Sequence, residues 1–199
     1  MVEFIEKPDW VSWDEIHNAI WQAHAQNREK GIYMALPSLS GEEIRKKIGT
    51  SGKMFVALEG KKVVGTLALI RRTGKKWYHA ENYGYLCFGA VLPQYNGKGI
   101  YRSLYQIAET YAKQMNLPVL ARDTNEHNAR MLKITKQEGY YFVNYIACRD
   151  HFNIVRAKWL NGCPYSESYI KFRFLASKLY IKTRFKMVPG KGRTKRFGI

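Results

Sequence analysis

The chain has 199 residues, 46% of them hydrophobic, and a formal net charge of +17. That length buries a core without staples, and three scattered cysteines, Cys87, Cys148 and Cys163, with no CxxC pair, argue against a disulfide framework or a zinc site. No metal is expected. MVEFIEKPDW carries acids and no apolar run of signal-peptide length, and nowhere do about 18 apolar residues run together, so a cytoplasmic chain is expected.

Val2 to Glu6 alternates apolar and acidic residues and stops before Pro8, which predicts a short edge strand. Ser12 and Glu15 spell a capping box ahead of Trp13, Ile16, Ile20, Trp21 and His24, predicting an amphipathic helix that ends near Gly31. His17 and His24 lie near its apolar face and read as structural or surface histidines. A loop around Pro37 follows, then a second capping box, Ser40 with Glu43, for a short helix closing at Gly49.

Lys53–Leu58 and Val63–Ile70 are apolar runs separated by Glu59-Gly60-Lys61-Lys62, a hairpin signature. Arg71 to Lys76 reads as a basic loop. Residues 83–92 form an apolar strand ending at Pro93, and a turn of Asn96, Gly97, Lys98 and Gly99 leads to Ile100. From there Ile100, Leu104, Ile107, Ala108, Tyr111 and Met115 share one helical face, so the helix packs on a sheet. Its first turn leaves backbone N–H groups without partners, and glycines beside it admit a phosphate group. A glycine turn alone also serves to reverse a chain, and neither a Walker loop nor a GxGxxG unit is present.

Val119–Ala121 then reads as a short buried strand, and Asp123 to Asn128 leads into a helix ending at Gly139. Tyr140–Cys148 and Phe152–Leu160 read as a last aromatic-rich hairpin. The predicted order is β-α-α-β-β-β-α-β-α-β-β, an α/β chain with a mixed sheet.

That order resembles the GNAT superfamily of N-acetyltransferases over roughly residues 2–160. Val91-Leu92-Pro93 followed by Asn96-Gly97-Lys98-Gly99-Ile100 is similar to the family's acetyl-CoA pyrophosphate loop. Asn128 followed by Gly139-Tyr140 matches the spacing of the family's Asn and Gly-Phe. The resemblance implies acetyl-CoA as acyl donor, direct transfer to an amine, and cofactor contacts at Val91, Asn96, Gly97, Lys98, Gly99, Ile100, Tyr101 and Asn128. Tyr101 stands where the family has a small residue, and in the first helical turn its side chain is expected to point outward. The position of the family's thiolate-protonating Tyr is Thr135 here, and the family's strand Glu falls at about Tyr85.

Transfer to an amine needs a base that leaves the amine neutral, a donor to the oxyanion and a fixed thioester. The resemblance gives the main chain near Ala90 to Leu92 the second and third tasks. For the base, Glu81, Tyr83 and Tyr85 share one strand face by alternation, so Glu81 acting through water, with Tyr85, is one expectation, and Asp123 is another. Against these stand a solvated charge, core aromatics and a helix-cap role. The acceptor that the resemblance implies is a small-molecule, amino-sugar or peptide amine.

Residues 151–199 hold twelve Lys/Arg and one acid, Glu167, which places +11 of the charge in the last quarter. The resemblance ends near residue 160, so the chain is expected to divide into an acyltransferase domain, 1–160, and a basic aromatic extension, 161–199. Wound as a helix, residues from Tyr169 onward show two apolar stripes with cations between; alternation at Ile170–Phe174 competes as a strand. Three roles stay open for it: docking on its own domain, an anionic membrane surface that would make the protein peripheral, or nucleic acid, for which no motif is present. A catalytically inactive binding module using this extension is the alternative to the enzyme, and a homodimer is a further open expectation.

Overall fold

Both capping boxes form. Ser12 Oγ accepts the Glu15 N–H at 3.1 Å while the Glu15 carboxylate takes the Ser12 N–H at 2.8 Å, and Ser40 and Glu43 repeat the exchange. These residues lie in a computed structural model that describes residues 1–32, 39–79, 81–148, 151–188 and 192–195. The expected loop around Pro37 falls outside them.

Strand β1 (Val2–Glu6) leads to α1 (Trp13–Ala23), which stops earlier than Gly31 because the chain turns at His24 into a short α2 (Ala25–Glu29). After α3 (Gly41–Ile48), the predicted hairpin appears as β2 (Gly52–Glu59) and β3 (Lys62–Thr73). β3 continues through Arg71–Thr73, where a loop was expected, because these residues pair with β4 (Asn82–Val91). Then come α4 (Ile100–Gln114), β5 (Val119–Asn125), α5 (Ala129–Gln137), β6 (Tyr141–Ala147) and β7 (Phe152–Trp159). β5 is longer than Val119–Ala121, since all seven of its residues pair with β7.

The seven strands lie in the order β1-β2-β3-β4-β5-β7-β6, antiparallel except for β4 beside β5. Alternation sends Phe55, Leu67, Leu69, Leu86 and Leu120 to one face, where they meet Ile100, Leu104 and Ala108 of α4. Met54, Val56, Ala68 and Ile70 point to the other, against Ile16 and Ile20 of α1 and Ile44 of α3. The sheet is therefore covered on both faces, which explains the nearly continuous apolar runs of β2 and β3.

The C-terminal extension begins with α6 (Glu167–Arg184), capped by Ser166, so the helical reading prevails over strand alternation. It packs Ile170 against Val143 and Val155, and Phe174 and Ile181 against Tyr145 and Phe152. A small hairpin follows, β8 (Phe185–Val188) with β9 (Gly192–Lys195).

Candidate active site

β4 and β5 pair at only two positions, Gly84 with Leu120 and Tyr85 with Ala121, and then diverge. The divergence coincides with a bulge in β4. Phe88 takes φ 53°, Phe88 and Gly89 together face Leu67 of β3, and Thr66 Oγ1 fixes the irregularity by donating to the Phe88 carbonyl at 2.8 Å. A bulge bends its strand and frees backbone groups from the ladder. The result is a fork between two parallel strands, open at their C-terminal ends.

The fork gives onto a groove of about 590 Å3 that runs past Gly89–Val91 to the first turns of α4 and α5. The expected cofactor positions Val91, Asn96, Gly97, Gly99, Ile100, Tyr101 and Asn128 all line it. Gly97 and Gly99 have φ 81° and 77°, and a Cβ on either would meet open space, so these turn atoms are reachable from outside. No side chain caps α4, whose first-turn N–H groups have no partner within the helix. This is a cradle for an anion. Lys98 does not line the groove; its ammonium stands 4.9 Å from the Tyr95 ring.

Other residues complete the groove. Arg130, at the start of α5, donates to Asn96 Oδ1 at 3.0 Å and ties the glycine turn to the second helix. Asn128 caps α5, accepting the Met131 N–H at 3.1 Å. His24 closes the opposite side: its Nε2 is 3.2 Å from the Gly89 carbonyl and its Nδ1 3.2 Å from Asn27 Nδ2. With Asn27 donating to Nδ1, the proton sits on Nε2 and is given to Gly89. Burial holds the His24 pKa below its ordinary value, so the ring is neutral. The turn at His24 is what aims this ring at β4.

Tyr101 departs from the expectation that it points outward. Its ring lies over Gly89, where a Cβ would come within 3.2 Å of Tyr101 Cε2, and its hydroxyl accepts from the guanidinium of Arg122. The reason lies beneath it. Arg122 and Arg156 face each other across β5 and β7, both buried, and among the described residues no carboxylate is bonded to either. Arg156 donates to the Met131 carbonyl at 3.2 Å and to Thr135 Oγ1. Burial and the neighbouring Arg122 push the Arg156 pKa down.

Thr135 is thereby corrected as a candidate acid. Its hydroxyl is buried against the sheet, donates to the Met131 carbonyl at 2.9 Å and accepts from Arg156, so it does not reach the groove. Glu81 is exposed ahead of β4; like Tyr85 and Asp123, it does not line the groove. Its backbone carbonyl accepts from Gly74.

Tyr85 stands at the crotch of the fork, on the sheet face opposite α4. Its hydroxyl donates to Asp123 Oδ1, and Asn153 Nδ2 donates to Asp123 Oδ2. The Arg72 guanidinium lies 3.7 Å from the Tyr85 ring centre. Burial and the adjacent carboxylate hold the Tyr85 hydroxyl above the ordinary tyrosine range, so it keeps its proton. Asp123 is only partly buried. Each of its oxygens has a second lone pair, so it can accept a further proton donor. Cys87, on the same face, has its thiol pushed up to about 12 by burial and is no nucleophile.

Comparison with known proteins identifies the family and the fold. Residues 10–150 match the acetyltransferase (GNAT) family, and the chain belongs to that family. Among solved structures, an N-acetyltransferase from Staphylococcus aureus Mu50 superposes with TM-score 0.60 at 14% identity, covering 81% of this chain and 99% of its own. A probable acetyltransferase from Staphylococcus epidermidis gives 0.64 at 15% identity over 80% and 99%. The ribosomal-protein-S18-alanine N-acetyltransferase of Escherichia coli gives 0.61 at 14% identity over 84% and 97%. At these identities the structures share the fold. No curated protein sequence matches significantly.

Proposed function

We propose that this GNAT-family protein is an N-acetyltransferase that uses acetyl-CoA as donor and an amine of a small molecule, amino sugar or peptide as acceptor. The observation that carries the reading is the fork: a two-rung parallel pair that opens onto an uncapped helix start on one face and a Tyr85–Asp123–Asn153 cluster on the other. The donor is bound by the turn Gly97–Gly99 and the first turn of α4, with Arg130 adding charge at the rim. The main chain of Ala90 and Val91 holds the acyl arm and donates to the oxyanion.

On the acceptor side, Asp123 takes the proton that the ammonium must lose, and the neutral nitrogen attacks the thioester carbon. The carbon–sulfur bond breaks, the nitrogen gives its second excess proton to the departing thiolate, and Asp123 releases the first to solvent. Tyr85 and Asn153 keep the carboxylate in place through both steps.

A thermal melt with and without acetyl-CoA tests the donor. A ligand at 100 times its Kd adds about 2.7 kcal/mol, which for a chain of this size moves Tm by roughly 5–10 °C. Thiol release that depends on an added amine then tests transfer. No melt shift at saturating acetyl-CoA overturns the reading.

A further inference from the structure

α6 is apolar on two opposite sides, and among the described residues only one of them is packed. Its inner side is fixed to the body: Ile170 is 2% exposed, Ser177 Oγ accepts the Tyr145 N–H at 2.9 Å, and Lys182 reaches Glu126 at 2.9 Å. At helical spacing, Phe172, Leu175 and Leu179 fall on the far side from Ile170. They are 66%, 62% and 67% exposed. Along one flank of this stripe run Lys171 and Lys178, and along the other Arg173 and Arg184 with Tyr169 and Tyr180. The helix has five cations to one acid, Glu167.

Charge selects the occupant. A second copy of the same face would oppose like-charged flanks across the contact. Nucleic acid would suit the cations and the exposed rings of Tyr169, Phe172 and Tyr180, but it would leave Leu175 and Leu179, which offer bases nothing to stack on, without an apolar partner. A bilayer with anionic headgroups satisfies both parts: the apolar centre enters the acyl boundary, and long basic side chains reach the phosphates from its edges, with aromatic rings at the same level. Among the described residues, no helix is long and apolar enough to cross a membrane. α6 therefore lies on the surface.

We propose that the protein docks on anionic membranes through the outer side of α6, with Phe172, Leu175 and Leu179 inserted and the flanking Lys and Arg side chains at headgroup level. The proposal is independent of the acyltransferase reading.

The experiment is sedimentation of the full chain with phosphatidylcholine vesicles, with and without phosphatidylglycerol, at near-physiological salt. Binding to the anionic vesicles and not the neutral ones is expected. The double variant Leu175→Ser, Leu179→Ser keeps every charge, and it should weaken that binding at least tenfold while leaving the melting temperature unchanged. No binding to anionic vesicles overturns the proposal. So does binding that the double variant leaves intact, since charge elsewhere would then suffice. A concentration-dependent dimer that the variant abolishes would assign the face to a second copy, and tighter binding to single-stranded DNA than to the vesicles would assign it to nucleic acid; either result overturns it as well.

Discussion

The Tyr85 hydroxyl donates to the Asp123 carboxylate across the point where β4 and β5 part. One strand carries the donor, the next carries the acceptor, and the bond spans the crotch of the fork. The pair fixes where the carboxylate stands relative to β4.

If Asp123 is the base, Asp123→Asn lowers kcat by roughly 10²- to 10⁴-fold while acetyl-CoA still raises the melting temperature. Tyr85→Phe removes one hydrogen bond to the charged group and costs less, roughly 10- to 100-fold. Steady-state thiol release measures both. Unchanged turnover in Asp123→Asn would remove the carboxylate from the chemistry.

The glycine turn makes a different prediction. Gly99 caps α4 at φ 77°, a conformation that costs an L-residue about 1–2 kcal/mol. Gly99→Ala should therefore lower the Tm of the free protein by about 2–8 °C. Its Cβ points into open space beside the helix start, so acetyl-CoA affinity should fall as well. Titration calorimetry on the folded variant separates the two effects; an unaltered Kd would move the phosphate site elsewhere.

His24 sets a pH dependence of stability. Its folded pKa is lowered by burial, so between its folded and unfolded values the unfolded chain binds more protons. The stabilisation is complete above the unfolded value of about 6.5 and is lost as pH falls from there through the folded value. Urea midpoints measured from neutral to mildly acidic pH should decline, and His24→Gln should flatten the decline. Equal slopes in the two proteins would mean that the neutral ring holding Gly89 is not the cause.

The buried arginines give a prediction of opposite sign. Arg156 leaves Nε and Nη2 without hydrogen-bond partners and faces a like charge in Arg122. Replacing buried charge with apolar bulk is often neutral or stabilising by about 1–4 kcal/mol. Arg156→Met should therefore hold or raise the urea midpoint, because Thr135 retains its bond to Met131. Tyr101→Phe should instead cost about 1–3 kcal/mol by depriving Arg122 of its acceptor. A marked loss of stability in Arg156→Met would show that the pair supports the fold.

What could be read from the sequence was local. Two capping boxes, a strand stopped by proline, and a glycine turn before an amphipathic helix each lie within a few residues, and each forms as spelled. The groove lining followed, because the glycine turn fixes where α4 begins. The direction of Tyr101 was not legible: it depends on a guanidinium 21 residues away that β5 and β7 bury together. An arginine in a strand ordinarily reads as a solvated edge, and only the pairing of Arg122 with Arg156 shows otherwise. The same holds for His24, whose partner Gly89 is 65 residues distant. Thr135 sits on the right helix at the family's spacing, but the sheet side of that helix claims its hydroxyl.

The narrow junction between β4 and β5 also bears on how the protein comes apart. β1 to β4 form one antiparallel ladder with α1 and α3, and β5 to β7 form another with α6; two rungs join them. Cooperative units of this kind open separately when few backbone bonds cross between them. A donor lying in the fork would touch both ladders at once and act as a clasp, so amide exchange should slow in β5 and β7 as well as in the glycine turn.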